Sequence, residues 1–360
     1  MLSAGGKPVI PAQAGIQARR RNHWLRRPAP TRTFLLVLCS LGGACASLSG
    51  HAARQHVGLG ERLLAQDDLE AALAEFQDAA KLDPQLAVAH SRMGGIYRRM
   101  GDYPAAIRSF LEALRRNPFS FEDTFSLAQL YHFTSQLRDA IQAYLLAVEL
   151  QPKHFEAQLN LGTCYQQVGD YEQAIRHFEK AIEIDPDRSP AYVNLGVAYA
   201  SQGKLYEAVR SYREALERDS RQPMVLVNLA QAYIQQDRLK MAEQALVQAA
   251  SMDDQLAAAH EALGYTLFRA REFDRAEAAY RRALACDRRL PRAHAGLGSI
   301  QMLHFLEDKS RIELRDRALE HWHRSLEINP DQPRVRELIA RYRPDRADPD
   351  KLLLDARPGP

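Results

Sequence analysis

Four cysteines in 360 residues are too few for a disulfide framework, and two of them, Cys39 and Cys45, fall in the first fifty residues. The other two, Cys164 and Cys286, are far apart, so no pairing follows from their spacing. Charge of one sign is scarce as well: 48 Lys and Arg stand against 45 Asp and Glu, a formal net charge of +3. Even that surplus is local. Lys7, Arg19, Arg20, Arg21, Arg26, Arg27 and Arg32 sit in the first 33 residues, which hold no acid, and taking these seven from the +3 total leaves the remainder at −4. A mildly acidic body lacks the basic face that nucleic acid requires, which argues against nucleic acid as a partner. The early apolar run, FLLVLCSL at 34–41, is too short to cross a bilayer comfortably as a helix. No phosphate-cradling glycine loop and no nucleophile motif occurs, so the reading is of a non-enzyme with no catalytic residue, cofactor or metal.

Repetition is what the chain has in abundance. Residues 155–188, FEAQLNLGTCYQQVGDYEQAIRHFEKAIEIDPDR, describe one 34-residue unit of two helices. The first carries Leu161, Gly162 and Tyr165 on a stripe of helical spacing and ends at Gly169 and Asp170; the second carries Ala174, Phe178, Ala181 and Ile182, and Pro186 stops it. Gly162 and Ala174 are small where the two helices must approach closely. The unit recurs at an unchanged offset. Position 20 reads Ala72, Ala106, Ala140, Ala174, Ala208, Ala242 and Ala276; position 8 is Gly or Ala from Gly60 to Gly298; position 24 is Phe76, Phe110, Tyr144, Phe178, Tyr212, Leu246, Tyr280 and Trp322. One such hairpin cannot bury its own apolar faces, so the copies must stack.

Period and residue pattern resemble the tetratricopeptide repeat over residues 53–332. That resemblance implies an all-α, right-handed superhelical solenoid of about eight hairpins, with units near 53–86, 87–120, 121–154, 155–188, 189–222, 223–256, 257–290 and 291–332. Residues 333–343 read as a capping helix, since the last apolar face of a solenoid needs cover, and 344–360 as a flexible tail. The hairpin turns are short, at Asp67, Gly101, Ser135, Gly169, Gly203, Asp237 and Arg271, and leave no room for a catalytic excursion. The closing proline of Pro84, Pro118, Pro152 and Pro186 gives way to Ser220, Asp254 and Arg288, so later hairpins are expected to hand over differently. In the last unit Gly298 and Ala318 are 20 positions apart, against 12 elsewhere. The insertion around 302–309 predicts a first helix extended past its partner, or else a binding loop.

Residues 1–51 read as a targeting segment: basic, then apolar, then small at Gly42, Gly43, Ala44, Cys45 and Ala46. Two processing readings stand side by side, cleavage at the A-x-A of 44–46 and a bacterial lipobox with Cys45 lipidated. The lipobox is imperfect, because Leu41 lies four residues before Cys45 where three is usual. The stretch VIPAQAGIQ at 9–17 resembles peptides translated from dispersed bacterial genomic repeats, which implies a start placed upstream of the natural signal. The expected location is the bacterial cell envelope, lipid-anchored or secreted, with a soluble cytoplasmic adaptor as the alternative.

Recognition should fall to the first helices, which line the concave surface in the family this chain resembles. Position 6 reads Asn160, Asn194 and Asn228 in three successive units. An amide offers a donor and an acceptor together, matching one peptide unit, so stacked asparagines can grip an extended chain by its backbone. The series resembles the asparagine ladder in the superhelical repeats of O-linked glycosyltransferases; the plainer reading is of solvated consensus residues. Gln129, Thr163, Val197 and Gln231 at position 9 and Gln167, Ser201 and Gln235 at position 13 extend a neutral lining. Arg92, Arg98 and Arg99 at one end and Arg269 towards the other are placed to hold an acidic ligand segment, or are simply solvated. The implied function is a protein-interaction scaffold for an extended peptide or partner protein, an envelope assembly factor by analogy with repeat lipoproteins. A non-catalytic subunit of a glycosyltransferase, secretion or pilus complex is an alternative. A homo-oligomer through the Trp322 unit and terminal helix is a further arrangement. The recurring His56, His90, His260 and His294 are a helix-packing distance apart, too far to share a metal, and fill a slot that Tyr192 occupies elsewhere.

Overall fold

The computed structural model describes residues 39–343, with side chains from residue 49 onward, and every regular element among the described residues is helical. Residues before 39, the tail from 344 and the Cys45 side chain lie outside them. Eight hairpins follow one another: α1 (Cys39–Ala65) with α2 (Leu69–Leu82), α3 (Ala87–Met100) with α4 (Tyr103–Arg116), α5 (Phe121–Phe133) with α6 (Leu137–Leu150), and α7 (Phe155–Gln167) with α8 (Tyr171–Ile184). Then come α9 (Ser189–Ser201) with α10 (Leu205–Arg218), α11 (Pro223–Gln235) with α12 (Leu239–Met252), α13 (Ala257–Arg269) with α14 (Phe273–Cys286), and α15 (Pro291–Glu307) with α16 (Ile312–Ile328). A last helix, α17 (Pro333–Tyr342), buries Val335 and Ile339 and packs on α16.

Each of the first seven hairpin turns hinges on one left-handed residue, spaced 34 apart: Asp67, Gly101, Ser135, Gly169, Gly203, Asp237 and Arg271 all have φ between 60° and 82°. Glycine takes this conformation freely, whereas an L side chain meets its own backbone there at about 1–2 kcal/mol. The next residue then starts the second helix; Asp68, Asp102 and Asp170 accept the backbone N–H three residues on and so cap it. Ser135→Gly combined with Arg271→Gly is therefore expected to raise stability by about 2 kcal/mol with no change in helicity, read as the shift in a urea melt. An unchanged midpoint would mean that these two turns carry no strain.

Position 8 meets position 24 inside each hairpin. A Cβ added to Gly60, Gly94, Gly162, Gly196, Gly264 or Gly298 would lie 2.6–2.9 Å from the ring of Phe76, Phe110, Phe178, Tyr212, Tyr280 or Trp322 respectively. The glycines thus let each aromatic ring lie flat on the partner helix, where Phe76, Phe178 and Trp322 are almost wholly buried. Each second helix then packs on the next first helix, forming a continuous chain of contacts from α1 to α17.

The last hairpin departs from the expectation of one overlong helix. The insertion lengthens both members, α15 and α16 each reaching 17 residues where helices α2 to α14 have 13 or 14, and residues 308–311 join them. An extra turn on α15 alone would stand unpaired in water, whereas here the Arg315 guanidinium of α16 lies over the Phe305 ring of α15. Trp322 is buried and its indole N–H donates to Ala295 O at 3.2 Å, so it offers no surface to a second copy of the chain.

Handover between hairpins uses a device that the closing proline only partly foretells. Arg218 Nε donates to Pro186 O at 2.6 Å, Arg116 reaches Pro84 O, and Cys286 Sγ reaches Asp254 O at 3.5 Å. All three stand at position 30 and bond the carbonyl at position 32 of the preceding unit, so what matters there is the carbonyl. Where Ser220 replaces the proline, an outer cavity of about 330 Å³ opens between α10 and α12, floored by Leu226, Leu229 and Tyr233.

Candidate functional site

First helices approach one another along the array, as α7 with α9, α9 with α11, α11 with α13 and α13 with α15. No two second helices come comparably close among the described residues. Elements that crowd together lie on the inside of a curve, so the first helices form the concave wall. Side chains 31 to 35 positions apart bridge them there: Asn194 Nδ2 donates to Thr163 Oγ1 at 3.4 Å, His132 Nε2 lies 3.2 Å from Gln167 Oε1, and Arg98 Nη1 donates to Gln129 Oε1 at 3.5 Å.

The asparagines at position 6 share this wall but differ in their partners. Asn160 lies beside the Tyr144 hydroxyl of the preceding second helix; burial drives that phenol far above its usual pKa, and the nearby amide works against the rise. Asn194 bonds Thr163, and Asn228 is half-buried. The same register explains Gly296 in the last unit, where a Cβ would come within 2.4 Å of the Tyr280 ring. Position 6 therefore sits over the aromatic tip of the unit before it. That contact is legible as an offset of 16 residues, from Tyr144 to Asn160 and from Tyr280 to Gly296, which period-34 reading passes over. Each amide keeps at least an acceptor or a donor free for a ligand.

Around the asparagines, Gln167, Gln231 and Gln235 are exposed, and Thr163 and Gln129 are half-buried. Apolar surface lies among them: Met224 is 49% exposed, Tyr265 45% and, nearer the N-terminal end, Phe133 68%. The arginines are already partnered. Arg92 Nε donates to Glu61 Oε1 at 2.5 Å, Arg99 pairs with Asp67, and Arg269 pairs with Asp237 at 2.7 Å and donates to Ile234 O at 3.2 Å. In all three the acid belongs to the preceding hairpin, so these arginines tie neighbouring hairpins together along the wall. Exposed pairs of this kind contribute little energy but fix side-chain positions. Glu156 is likewise held below the usual carboxylate range by the Arg188 side chain, 2.5 Å away.

Titratable groups elsewhere behave as packing. Cys164 is fully buried and its thiol is pushed up to about 12 by that burial, which removes it as a nucleophile. His177 is lowered to about 4 by burial and stacks on Tyr165 with Nδ1 at 2.8 Å from Gln158 Oε1. Of the recurring histidines, His56 pairs with Glu75 at 2.6 Å and His260 meets Asp254 O at 3.1 Å. His294 and His321 face each other through Nδ1 atoms 3.1 Å apart, a contact between α15 and α16 that the sequence pattern does not signal. Among the described residues no group of three metal-binding side chains occurs.

Family models described as tetratricopeptide repeat match residues 87–120, 120–187, 153–221, 193–257 and 227–291, together spanning 87 to 291. Comparison with curated protein sequences gives no match. Among solved structures, the C-terminal part of a TPR repeat-containing protein from Cytophaga hutchinsonii is similar at 20% identity and TM-score 0.58, covering 67% of this chain and 99% of that one. A tetratricopeptide repeat protein from Parabacteroides merdae shares 18% identity at TM-score 0.51, over 75% of this chain and all of that one. A chain of the APC/C hetero-tetramer Cut9-Hcn1 shares 16% identity at TM-score 0.53, over 76% of this chain and 52% of that one. A 34-residue period, the Gly-on-aromatic contact in six hairpins, and family matches over more than half the length agree: this chain belongs to the tetratricopeptide repeat family.

Proposed function

We propose that this protein is a non-catalytic scaffold that binds an extended segment of a partner protein along the inner face of α7, α9 and α11. The observation that carries the reading is the amide series itself: Asn160, Asn194 and Asn228 occupy equivalent places on three adjacent first helices, on a wall where those helices face one another. Gln129, Thr163, Gln167, Gln231 and Gln235 extend the same wall, with Arg99 and Arg269 as braces at its ends. A backbone gripped by amides is recognised with little regard to its side chains, which suits a factor that handles several clients during assembly.

The second half of the reading concerns place. A basic, apolar and small leader ending near Cys45 supports attachment to the bacterial cell envelope by a lipid on that cysteine, with the array standing off the membrane as an assembly factor. The test is capture from envelope extract with the full chain as bait and the Asn160→Ala/Asn194→Ala/Asn228→Ala triple variant as control. The triple variant is expected to lose at least tenfold in partner yield while keeping its helicity, and Cys45→Ala to leave the membrane fraction. Equal yields from both baits would put the ligand on another surface.

A further inference from the structure

The groove over α7, α9 and α11 is nearly free of charge. We infer that it selects an extended segment of about seven residues carrying no charged side chain, a specification that rests on the groove reading proposed above. Positions 2, 6, 9 and 13 form the outermost stripe of each first helix, and on these three helices they hold twelve residues, of which only Glu156 is ionisable. That one is neutralised by Arg188. With 26% of the whole chain charged, about three would be expected even before allowing for the preference of charge for surfaces. The stripe is also bounded. Arg92 and Arg99 lie on α3, Glu122 on α5, Arg269 on α13 and Arg292 on α15. Complete neutrality at these positions is thus confined to α9 and α11, with α7 joining them through the pairing of its one acid, Glu156, with Arg188.

The physical consequence is discrimination by exclusion. A Lys or Asp side chain of a ligand laid into this stretch would give up part of its hydration and meet amides, Val197 and Met224, where the two charges present, Glu156 and Arg188, are already engaged with each other. An uncharged segment gives up only apolar surface and backbone hydration, and the amides of Asn160, Asn194 and Asn228 replace the latter. Two helix-to-helix steps of about 8–10 Å, plus the width of the outer helices, span roughly 25 Å, which at about 3.3 Å per residue is about seven extended residues. Each charge inside that window is expected to weaken binding about tenfold, and binding should vary little with salt.

A random dodecapeptide display library, selected on the full chain and counter-selected on the triple asparagine variant, tests this. The expected result is a window of roughly seven positions in which Asp, Glu, Lys and Arg fall to less than a third of their unselected frequency. Selection on a Gln231→Lys variant is expected to restore acidic residues at one place in the window. Charged residues at library frequency, in peptides that still depend on the three asparagines, would overturn the charge exclusion and leave the groove reading standing. If no selected peptide distinguishes the wild-type chain from the triple variant, the groove reading fails and this inference fails with it.

Discussion

Gly162→Ala and Gly95→Ala, the same substitution in first helices of neighbouring geometry, are expected to shift stability in opposite directions. At Gly162 the new Cβ would meet the Phe178 ring at 2.6 Å, and the ring is fully buried with nowhere to turn. Overpacking of this kind costs about 1–3 kcal/mol. At Gly95, one position further along the unit, an added Cβ meets nothing within 4 Å, and only the helix-propensity gain of about 0.5–1 kcal/mol remains. Unit three carries Ala128 opposite Tyr144, so a ring can be accommodated by a different approach of the helices, and unit six pairs Ala230 with Leu246. Adding Phe178→Leu to Gly162→Ala should therefore recover part of the loss. Urea melts of the three variants measure it; a Gly162→Ala variant as stable as wild type would show that the hairpins are not held at the spacing described.

Trp322→Ala is expected to remove about 3–5 kcal/mol, and to do so at one end only. Trp322 fills the space between α15, α16 and α17, where it lies against Gly298 and stacks obliquely with Tyr342 at 6.3 Å. In a stack whose units touch only their neighbours, that loss acts on the last hairpin and its cap and does not spread through the array. Hydrogen exchange should show α15, α16 and α17 losing protection while α7, α9 and α11 keep theirs, and partner binding should survive. Loss of protection across all hairpins would mean that the array melts as one unit.

Much of this was open to reading from the sequence, because a repeat averages away local ambiguity. Seven copies of one turn position identify the left-handed residue even where it is Ser135 or Arg271, which alone would not suggest it. Position 8 stays Gly or Ala while position 24 stays large, which exposes a contact as well as two helices. What escaped was whatever happens once or reaches across units. The split of the insertion between α15 and α16 follows from the need to pair both helices, which spacing alone cannot divide. The pairing of Arg92, Arg99 and Arg269 with acids of the preceding hairpin depends on curvature, which brings first helices together on one side. The approach of Asn160 to Tyr144 joins two units at an offset of 16, invisible to a search at 34. It also means that the asparagine series serves the stack as well as any ligand. Asn194 is the most committed of the three, through its bond to Thr163.

The central claim is that recognition takes place on the inner face, and site-specific photo-crosslinking tests it most directly. A benzoylphenylalanine placed at Gln231 or Gln235 reports the inner wall, and one at Arg213, exposed on the rim of the outer cavity, reports the other side. The inner positions are expected to yield a discrete adduct with a partner protein from envelope extract, and the outer position none. An adduct at Arg213 with none at Gln231 or Gln235 would contradict the account.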